Sequence, residues 1–155
     1  MADVTTVLDD AGVEYELLSH AHTERAADEA AALGLPPTAV AKTLVLTAPE
    51  GHVRLVLPAS ERIDLRKVRS YVEGSKRVHL ATEEELARDY PEFELGAVPP
   101  FGGASRDRVL VDSRVAGQRS VVLEAGSHER SVRLQTAGLL ALTGAEIVDI
   151  CKEES

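Results

Sequence analysis

The chain has 155 residues, 44% of them apolar, with no tryptophan and a formal net charge of −9. This length is enough for one hydrophobic core, built mostly of Val, Leu, Ile and Ala, so we expect a single domain over residues 1–155. The net acidity argues against nonspecific binding to nucleic-acid phosphates, so we expect no DNA partner. No segment approaches the roughly 18 apolar residues of a membrane helix. The N-terminus lacks the basic start and apolar core of a secretion signal, and the one cysteine excludes an internal disulfide. We therefore expect a cytoplasmic protein without a membrane partner.

The first half of the chain predicts alternating helices and strands. In order, these are a helix over residues 4–10, a strand over 15–18, a helix over 24–33, strands over 42–47 and 53–57, and a helix over 63–72. Thr23 is a predicted N-cap for the second helix, and Gly34 should end that helix. The turn at residues 48–51 should join the two strands beside it as a hairpin.

The second half has shorter elements around a long segment rich in Gly and Pro, residues 91–103, which we call the Gly/Pro loop. The elements are a strand over 77–80, a helix over 83–89, strands over 108–111, 120–124 and 131–134, a helix over 136–142 and a strand over 147–150. Thr82 and Glu85 have the spacing of a capping box at the start of the first of these helices. Several strands follow one another through short turns. This favours an α+β fold with a mixed, largely antiparallel sheet flanked by helices over a doubly wound parallel sheet.

Lys42 is the first candidate functional residue, because it is the only ionisable side chain between residues 36 and 46. It stands where an apolar strand begins, and burying an ammonium group is costly unless it faces water, a carboxylate or a bound anion. Two distant segments, residues 96–103 and 125–128, could close on it to form an anion-binding pocket. The alternative is a lysine whose stem packs at the end of the strand while its ammonium stays in water.

These two segments differ in their chemistry. The first contains a stiff run made of Gly96, Ala97, Val98, Pro99 and Pro100. Glycine permits a tight turn and the prolines restrict φ, so the loop can point backbone N–H and C=O groups at a ligand, although a stiff surface connection has the same composition. The second is a predicted turn between strands that contains Gly126, Ser127 and His128. Its histidine could line a site, orient water or face solvent.

Arg62, Arg66 and Arg69 form a basic stripe on the helix predicted over residues 63–72. They flank its apolar stripe, so they should lie at the rim of the surface on which the helix packs. Such a basic patch on an acidic protein suits a brief, salt-sensitive contact with the phosphates of an RNA end. An ordinary solvated helix face has the same pattern.

Other motifs for catalysis or cofactor binding are not found in the sequence. The Gly/Pro loop lacks the spacing of a nucleotide-binding motif, and Ser127 lacks the Gly-x-Ser-x-Gly context of an activated nucleophile. His20 and His22 could share one face of a strand, but no further Cys, His or carboxylate completes a metal site nearby. Cys151 has no paired histidine in the sequence, which favours inert burial. We therefore expect neither a metal nor an organic cofactor.

Four segments of the chain resemble the bacterial YbaK/prolyl-tRNA-synthetase-associated family. They occur in the family's order. The first, over residues 20–31, is a His followed by Thr-x-x-Ala-Ala and further alanines, and the second is Val-Ala-Lys-Thr-Leu-Val over residues 40–45. The third is Gly-x-x-x-Pro over residues 96–100, and the fourth is Gly-Ser-His over residues 126–128. Each segment is short, but their order and spacing cover nearly the whole chain. The family contains aminoacyl-tRNA deacylases related to the editing domain inserted in bacterial prolyl-tRNA synthetases.

The resemblance implies a freestanding deacylase that hydrolyses the ester between a wrong amino acid and the 3′ end of a tRNA. The expected substrate is mischarged tRNA(Pro), edited in trans, and an aminoacyl-tRNA synthetase could be a second partner. The resemblance makes Lys42 the catalytic residue, facing the terminal phosphate or the ester, with Thr43 and His128 shaping the amino-acid pocket. The residues implied to bind the substrate are Thr43, Gly96, Ala97, Val98, Pro99, Pro100, Gly126, Ser127 and His128.

An aminoacyl ester is already activated, so orientation and oxyanion stabilisation can suffice without a protein nucleophile. The sequence does not identify the group that attacks the ester, which is either a bound water or one of the substrate's own groups. The turn at residues 126–128 departs from the Gly-Gly turn usual in the cysteinyl-tRNA deacylase branch, which argues against cysteine as the removed amino acid. A catalytically silent module that binds an aminoacyl or nucleotide end is the alternative function, whereas a general small-molecule esterase lacks an identifiable nucleophile.

Overall fold

The computed structural model describes residues 4–72, 77–103 and 107–153. The helices are α1 (Val4–Asp10), α2 (Ala26–Leu33), α3 (Leu65–Arg69), α4 (Glu83–Asp89), α5 (Ser113–Ala116) and α6 (Thr136–Thr143). The strands are β1 (Tyr15–Ser19), β2 (Ala41–Ala48), β3 (Gly51–Pro58), β4 (His79–Leu80), β5 (Arg108–Asp112), β6 (Ser120–Ser127), β7 (Arg130–Gln135) and β8 (Glu146–Val148). Among the described residues, no helix has both the length and the apolar character needed to span a membrane.

The strands form two sheets. The larger sheet has the order β4-β2-β3-β5-β8 and is mixed, because β2 pairs antiparallel with β4 and β3 whereas β5 pairs parallel with β3 and β8. The smaller sheet has the order β1-β7-β6 and is antiparallel throughout. The predicted hairpin is present, with Lys42 opposite Leu57. The predicted α+β fold with a mixed, largely antiparallel sheet is confirmed, and the structure adds the division into two sheets.

The largest core cluster lies between the two sheets. It combines Val56 and Val111 of the larger sheet with Leu123 and Val132 of the smaller one. Successive side chains of a strand point to opposite faces. Leu55 therefore points away from this cluster and joins a second one, on the side covered by α3. The larger sheet is thus packed on both faces.

The two sheets meet where β2 begins. Just before β2, Val40 forms an isolated parallel bridge with Val122 of β6. Both valines are buried with Ala30 of α2 in a third apolar cluster. Lys42 follows Val40 by two residues on β2, and Glu124 follows Val122 by two residues on β6. The beginning of β2, the middle of β6 and helix α2 are therefore brought to one place.

The start of α2 differs from the prediction. The helix begins at Ala26, and its N-cap residue, Arg25, makes no capping hydrogen bond through its side chain. Thr23 is not the N-cap, because the helix begins only at Ala26. The Thr23 backbone N–H donates to the His128 carbonyl at 3.0 Å and holds this segment against the turn after β6. Gly34 ends the helix, as predicted, and has a left-handed conformation.

Helix α3 is also shorter than predicted and has only five residues. Asp64 caps it by accepting hydrogen bonds from backbone N–H groups of its first turn. Arg62 therefore precedes the helix, and the predicted stripe of three arginines on one helix is wrong. Only Arg66 and Arg69 lie on α3, and both are exposed.

Strand β6 continues to Ser127, although the sequence predicted that it ends at residue 124. Its register with β7 shifts between Glu124 and Ser127. Gly126 lies within this irregularity with a φ of +85°, a conformation that suits glycine. The turn between the strands is formed by residues 128–129. The predicted turn at residues 125–128 is therefore mostly strand.

Candidate functional site

A pocket of about 330 Å³ opens where β2 begins. It is lined by residues 24–27 at the start of α2, residues 41–44 of β2, Ala59 after β3, Gly96 and Val98 of the Gly/Pro loop, and Glu124 of β6. The contact between the two sheets brings these distant segments together. Of the residues predicted to form a site, Lys42, Thr43, Gly96 and Val98 share this pocket.

The Lys42 side chain is half-buried at the pocket wall. Burial lowers the pKa of its ammonium below the usual lysine value, and the positive charge of Arg62 acts in the same direction. Within the described ranges, the ammonium makes no hydrogen bond and no ion pair. A partly desolvated cation without a protein partner is available to a phosphate or to a carbonyl oxygen that gains negative charge.

The Gly/Pro loop is held in place from inside the protein by Arg54 of β3. Its guanidinium donates to the Pro99 carbonyl and to the Gly102 carbonyl, each at 2.8 Å. It also donates to the Asp107 carboxylate at 2.8 Å, and the Tyr90 hydroxyl donates to the same carboxylate at 2.5 Å. A planar guanidinium with several fixed donors can fix two carbonyl groups of one loop at the same time. The loop is therefore positioned by a buried charged network.

Arg54 is only 1% exposed and was not predicted from the sequence to be a functional residue. The signal was present, because one arginine interrupts the apolar strand Val-Arg-Leu-Val-Leu over residues 53–57. A charged side chain is almost never fully buried unless it is paired. Such an interruption predicts a buried partner, although the sequence does not say that the partner is a loop about 45 residues away.

Not every residue of the stiff run reaches the pocket. Gly96 and Val98 line it, whereas Ala97 is buried and is not part of the lining. The Pro99 carbonyl is directed to the buried guanidinium, and Pro100 lines a separate groove. Gly96 has a φ of +84°, which turns the chain sharply at the pocket. The run therefore contributes two of its five residues to the pocket, and the Pro99 carbonyl anchors it to Arg54.

His128 stands behind the Gly/Pro loop and is only 3% exposed. Its Nε2–H donates to the Leu95 carbonyl at 2.7 Å, and its Nδ1 lies 2.9 Å from Oε2 of Glu124. Its backbone N–H donates to the Glu94 carboxylate at 3.0 Å. His128 is not part of the pocket lining. It connects the loop residue before Gly96 to the pocket residue Glu124.

Gly126 and Ser127 do not line the pocket either. The Gly126 carbonyl accepts a hydrogen bond from the Glu94 N–H at 2.9 Å, and an added Cβ at this glycine would lie 2.7 Å from the Phe93 ring. The Ser127 hydroxyl accepts from the backbone N–H of Glu129 at 3.1 Å. Gly126 and His128 of the predicted Gly-Ser-His segment therefore support the Gly/Pro loop from behind. The nearby Glu124, which was not predicted from the sequence, lines the pocket in place of this segment.

Glu124 and His128 form a buried acid–base pair. Burial, followed by the negative charge of Glu29, raises the pKa of Glu124 to about 7. The pKa of His128 is also raised, because the Leu95 carbonyl and the Glu124 carboxylate outweigh the opposing effect of burial. A carbonyl can only accept, so Nε2 carries a hydrogen and one proton is shared in the contact between Nδ1 and Oε2. The pair is either imidazolium with carboxylate or imidazole with carboxylic acid.

A second buried carboxyl group, Glu29 of α2, accepts a hydrogen bond from the Ser131 hydroxyl. Burial raises the pKa of Glu29. His20 lies 2.9 Å from the same hydroxyl, while His22 is paired with Glu24 at 2.7 Å. The two histidines thus have separate partners, and no group of three or more potential ligands is arranged around a metal position in the described parts of the chain.

The predicted basic stripe, which we call the basic flank, consists of Arg62, Arg66 and Arg69. All three arginines are exposed. Arg62 is near enough to Lys42 to influence its pKa. Neither Arg66 nor Arg69 belongs to the pocket lining. The basic flank therefore begins beside the pocket and continues away from it along α3.

The family model for the aminoacyl-tRNA editing domain matches residues 20–142. The chain belongs to the aminoacyl-tRNA editing domain family. This match covers every pocket-lining residue of the editing domain described above and confirms the resemblance drawn from the four sequence segments. A comparison with curated protein sequences found no significant match.

Solved structures share the fold of this editing domain. A protein described as a candidate trans-editing enzyme for prolyl-tRNA synthetase is 28% identical, with a TM-score of 0.87 over 97% of this chain and 95% of that one. A scaffold protein used for epitope backbone grafting is 26% identical, with a TM-score of 0.88 over 97% and 96% of the two chains. A hypothetical protein with 23% identity and a TM-score of 0.86 over 96% and 99% shares the fold.

Proposed function

We propose that this protein is a freestanding aminoacyl-tRNA deacylase that hydrolyses the ester of a mischarged tRNA. The observation that carries the proposal is that the ammonium of Lys42, which has no partner among the described residues, lines the same pocket as Gly96 of the Gly/Pro loop. Membership of the editing domain family supports this chemistry. We propose tRNA(Pro) as the tRNA, which is supported by the similarity to a candidate trans-editing enzyme for prolyl-tRNA synthetase.

The roles proposed for the residues follow from their places in the pocket. Lys42 contacts the 3′-terminal phosphate or the ester carbonyl, where a positive charge stabilises the oxyanion that develops during hydrolysis. Gly96 and Val98 present backbone groups and apolar surface to the aminoacyl group, and Thr43 borders the same space. His128 and the residues beside it hold the loop so that these groups stay in position.

The proposed mechanism needs no protein nucleophile. The described lining residues include no Ser and no Cys. An aminoacyl ester is activated, so holding it beside a fixed positive charge accelerates attack by water or by one of the substrate's own groups. The volume of about 330 Å³ is at the small end of ligand pockets and suits the aminoacyl end of a tRNA.

The test is a deacylation panel on one tRNA(Pro) transcript charged in turn with Ala, Ser, Cys or Pro. We expect the protein to hydrolyse at least one noncognate ester well above its uncatalysed rate and to spare the prolyl ester. The same amino acid on its own cognate tRNA is the control for tRNA identity. Equal rates on both tRNAs would contradict the choice of tRNA(Pro), and adding prolyl-tRNA synthetase to the assay tests it as a partner.

A catalytically silent binding module is the alternative, and the net charge of −9 is compatible with weak RNA binding. The panel separates the two functions. Saturable binding of aminoacyl-tRNA with only the uncatalysed rate of hydrolysis for all four esters would support the binding module and overturn the deacylase.

A further inference from the structure

The pocket carries charges of both signs. Lys42 lines it from β2 and Glu124 lines it from β6, each two residues beyond the bridge between Val40 and Val122. The two charged groups share the pocket but form no ion pair with each other. A ligand with an electron-rich oxygen near Lys42 and a cation near Glu124 would pair with both charged side chains.

The two oxygens of Glu124 have different surroundings. Oε2 is 2.9 Å from Nδ1 of His128, whereas Oε1 accepts no hydrogen bond from the described residues. A cation at Oε1 favours the carboxylate form of Glu124, and the shared proton then stays on His128, which is behind the loop and outside the pocket lining. The pair can therefore present a negative charge to the pocket without exposing the imidazolium there.

Glu124 is better placed for this contact than the other nearby carboxyl groups. Its side chain is 15% exposed, so water competes weakly for a cation bound there. Glu24 also lines the pocket, but its side chain is 71% exposed and is already bonded to His22. Glu29 is fully buried and does not belong to the lining.

An ester of a free amino acid has this arrangement of charges. Its α-ammonium is attached to the carbon next to the ester carbonyl, so the cation and the reacting oxygen lie a few ångströms apart. A carboxylate and an ammonium form a charge-assisted hydrogen bond, which is stronger than a neutral one. Esters whose amine is acylated or replaced by a hydroxyl lack the cation.

Building on the proposed deacylase function, we propose that Glu124 binds the α-ammonium of the substrate's amino acid and restricts the site to esters of free α-amino acids. His128 is then a positioning residue that holds Oε2 and leaves Oε1 for the substrate. Esters with a blocked amine, such as N-acylaminoacyl-tRNA, and hydroxyacyl esters are poor substrates.

The experiment compares three esters on the same tRNA(Pro): alanyl, lactyl and N-acetylalanyl. Each enzymatic kcat/KM is divided by the uncatalysed rate of the same ester in the same buffer, because the ammonium itself makes the alanyl ester more labile. We expect the wild type to prefer the alanyl ester over the lactyl ester by about 10- to 100-fold after this correction, the range of one hydrogen bond to a charged group. In Glu124→Gln the preference should fall to within about twofold while lactyl hydrolysis is retained.

Two further variants decide which carboxylate is responsible. Glu16→Gln is the matched control, because Glu16 is an exposed carboxylate of β1 that pairs with Arg133 and does not line the pocket. It should keep the wild-type preference. If Glu24→Gln, and not Glu124→Gln, removed the preference, the assignment to Glu124 would be wrong.

The remaining outcomes separate this inference from the proposed function. If Glu124→Gln slowed the alanyl and lactyl esters equally, Glu124 would only support the loop, and the inference would be overturned while the deacylase stood. If the wild type hydrolysed the alanyl and lactyl esters at equal corrected rates, the inference would be overturned. This result needs no variant, so it decides the question even if Glu124→Gln does not fold. A wild type that hydrolysed none of the esters would contradict the deacylase function and, with it, this inference.

Discussion

At the scale of single residues, Lys42 has the clearest consequence for activity. Lys42→Ala should lower kcat/KM for deacylation by at least about 100-fold, because a charge fixed at a developing oxyanion contributes a few kcal/mol. The ammonium has no partner among the described residues, so the thermal midpoint should change little. Single-turnover deacylation and thermal unfolding of the same preparation measure the two effects.

Lys67 provides a matched lysine control. Its ammonium contacts Asp149 at 3.1 Å, Glu153 at 2.6 Å and the Cys151 carbonyl at 2.8 Å, and it does not line the pocket. Lys67→Ala should therefore lower stability and leave deacylation unchanged. A Lys42→Ala protein with full activity, or one that is unfolded, would count against the proposed role of Lys42.

Gly96 tests whether the loop acts through its backbone. An alanine at a φ of +84° is strained by about 1–2 kcal/mol, whereas its Cβ would meet the His128 ring only at an ordinary contact distance of 3.6 Å. Gly96→Ala should therefore shift the loop backbone at the pocket, and we expect kcat/KM to fall about 10-fold or more. Steady-state kinetics on the same charged tRNA measure this loss.

Gly12 is the control for backbone strain. It has a φ of +69°, no atom lies within 4 Å of an added Cβ, and it is outside the pocket lining. Gly12→Ala should cost a similar amount of stability without affecting deacylation. Equal kinetics for both variants would mean that the loop is only a connection.

At the scale of elements, α4 is fixed to its neighbours by Glu85. The Glu85 carboxylate accepts from the Thr82 backbone N–H at 3.0 Å and from the Thr47 hydroxyl of β2 at 2.9 Å, and it lies 3.0 Å from a ring nitrogen of His79. These contacts, led by the Thr82 N–H, lower the pKa of Glu85 from 4.5 to about 2. The carboxylate form is thus favoured in the folded state.

This pKa shift predicts a pH dependence of stability. A carboxyl group whose pKa is lower in the folded state stabilises the fold above its unfolded pKa of 4.5, and the contribution disappears as the pH falls towards about 2. Glu85→Gln should therefore be less stable than the wild type at pH 7, and the difference should shrink as the pH is lowered through this window. Urea unfolding at a series of pH values measures it.

The neighbouring Glu84 is the control for this titration. It is exposed on the same helix, so Glu84→Gln should follow the wild type at every pH. The stability difference between Glu85→Gln and the wild type could instead stay constant from pH 7 to pH 3. This result would show that the capping contact does not depend on the charge of Glu85.

At the scale of the whole molecule, the proposed function requires an acidic protein to bring an RNA end to a pocket beside a small basic flank. Arg62 is close enough to Lys42 to affect its pKa, and Arg66 and Arg69 continue the flank on α3. Arg66→Glu combined with Arg69→Glu should raise KM for charged tRNA several-fold at low salt. The difference from the wild type should shrink as salt is added, because the wild-type contact is itself screened.

The control for this charge reversal is Arg119→Glu combined with Arg130→Glu. Both arginines are exposed, belong to the segment around the smaller sheet and do not line the pocket. This variant carries the same change in net charge, so an equal rise in KM would indicate a general effect of net charge. Unchanged KM in the Arg66 and Arg69 variant at every ionic strength would identify the flank as an ordinary solvated face.

Features whose partners are near in sequence were predictable. The capping box of Thr82 and Glu85 forms as predicted, and Gly34 ends α2 in a left-handed conformation. The hairpin of β2 and β3 also follows from its local turn. The predicted cap at Thr23 is wrong, since α2 begins only at Ala26, and the Thr23 backbone N–H donates to the His128 carbonyl, far along the chain. Local propensity is thus overridden where a distant partner is available.

The sequence by itself determined the α+β pattern, the editing domain family, and the choice of Lys42 and Gly96 as candidates for one pocket. Only the tertiary structure decided that Glu124 lines this pocket and that His128 supports the loop from behind. It also decided that Arg54 of β3 holds the Gly/Pro loop. The hydrogen bonds of His128 and Arg54 to the loop join residues 33 to 48 positions apart. Such pairs leave no periodic pattern in the sequence, because the packing of the two sheets determines which groups meet.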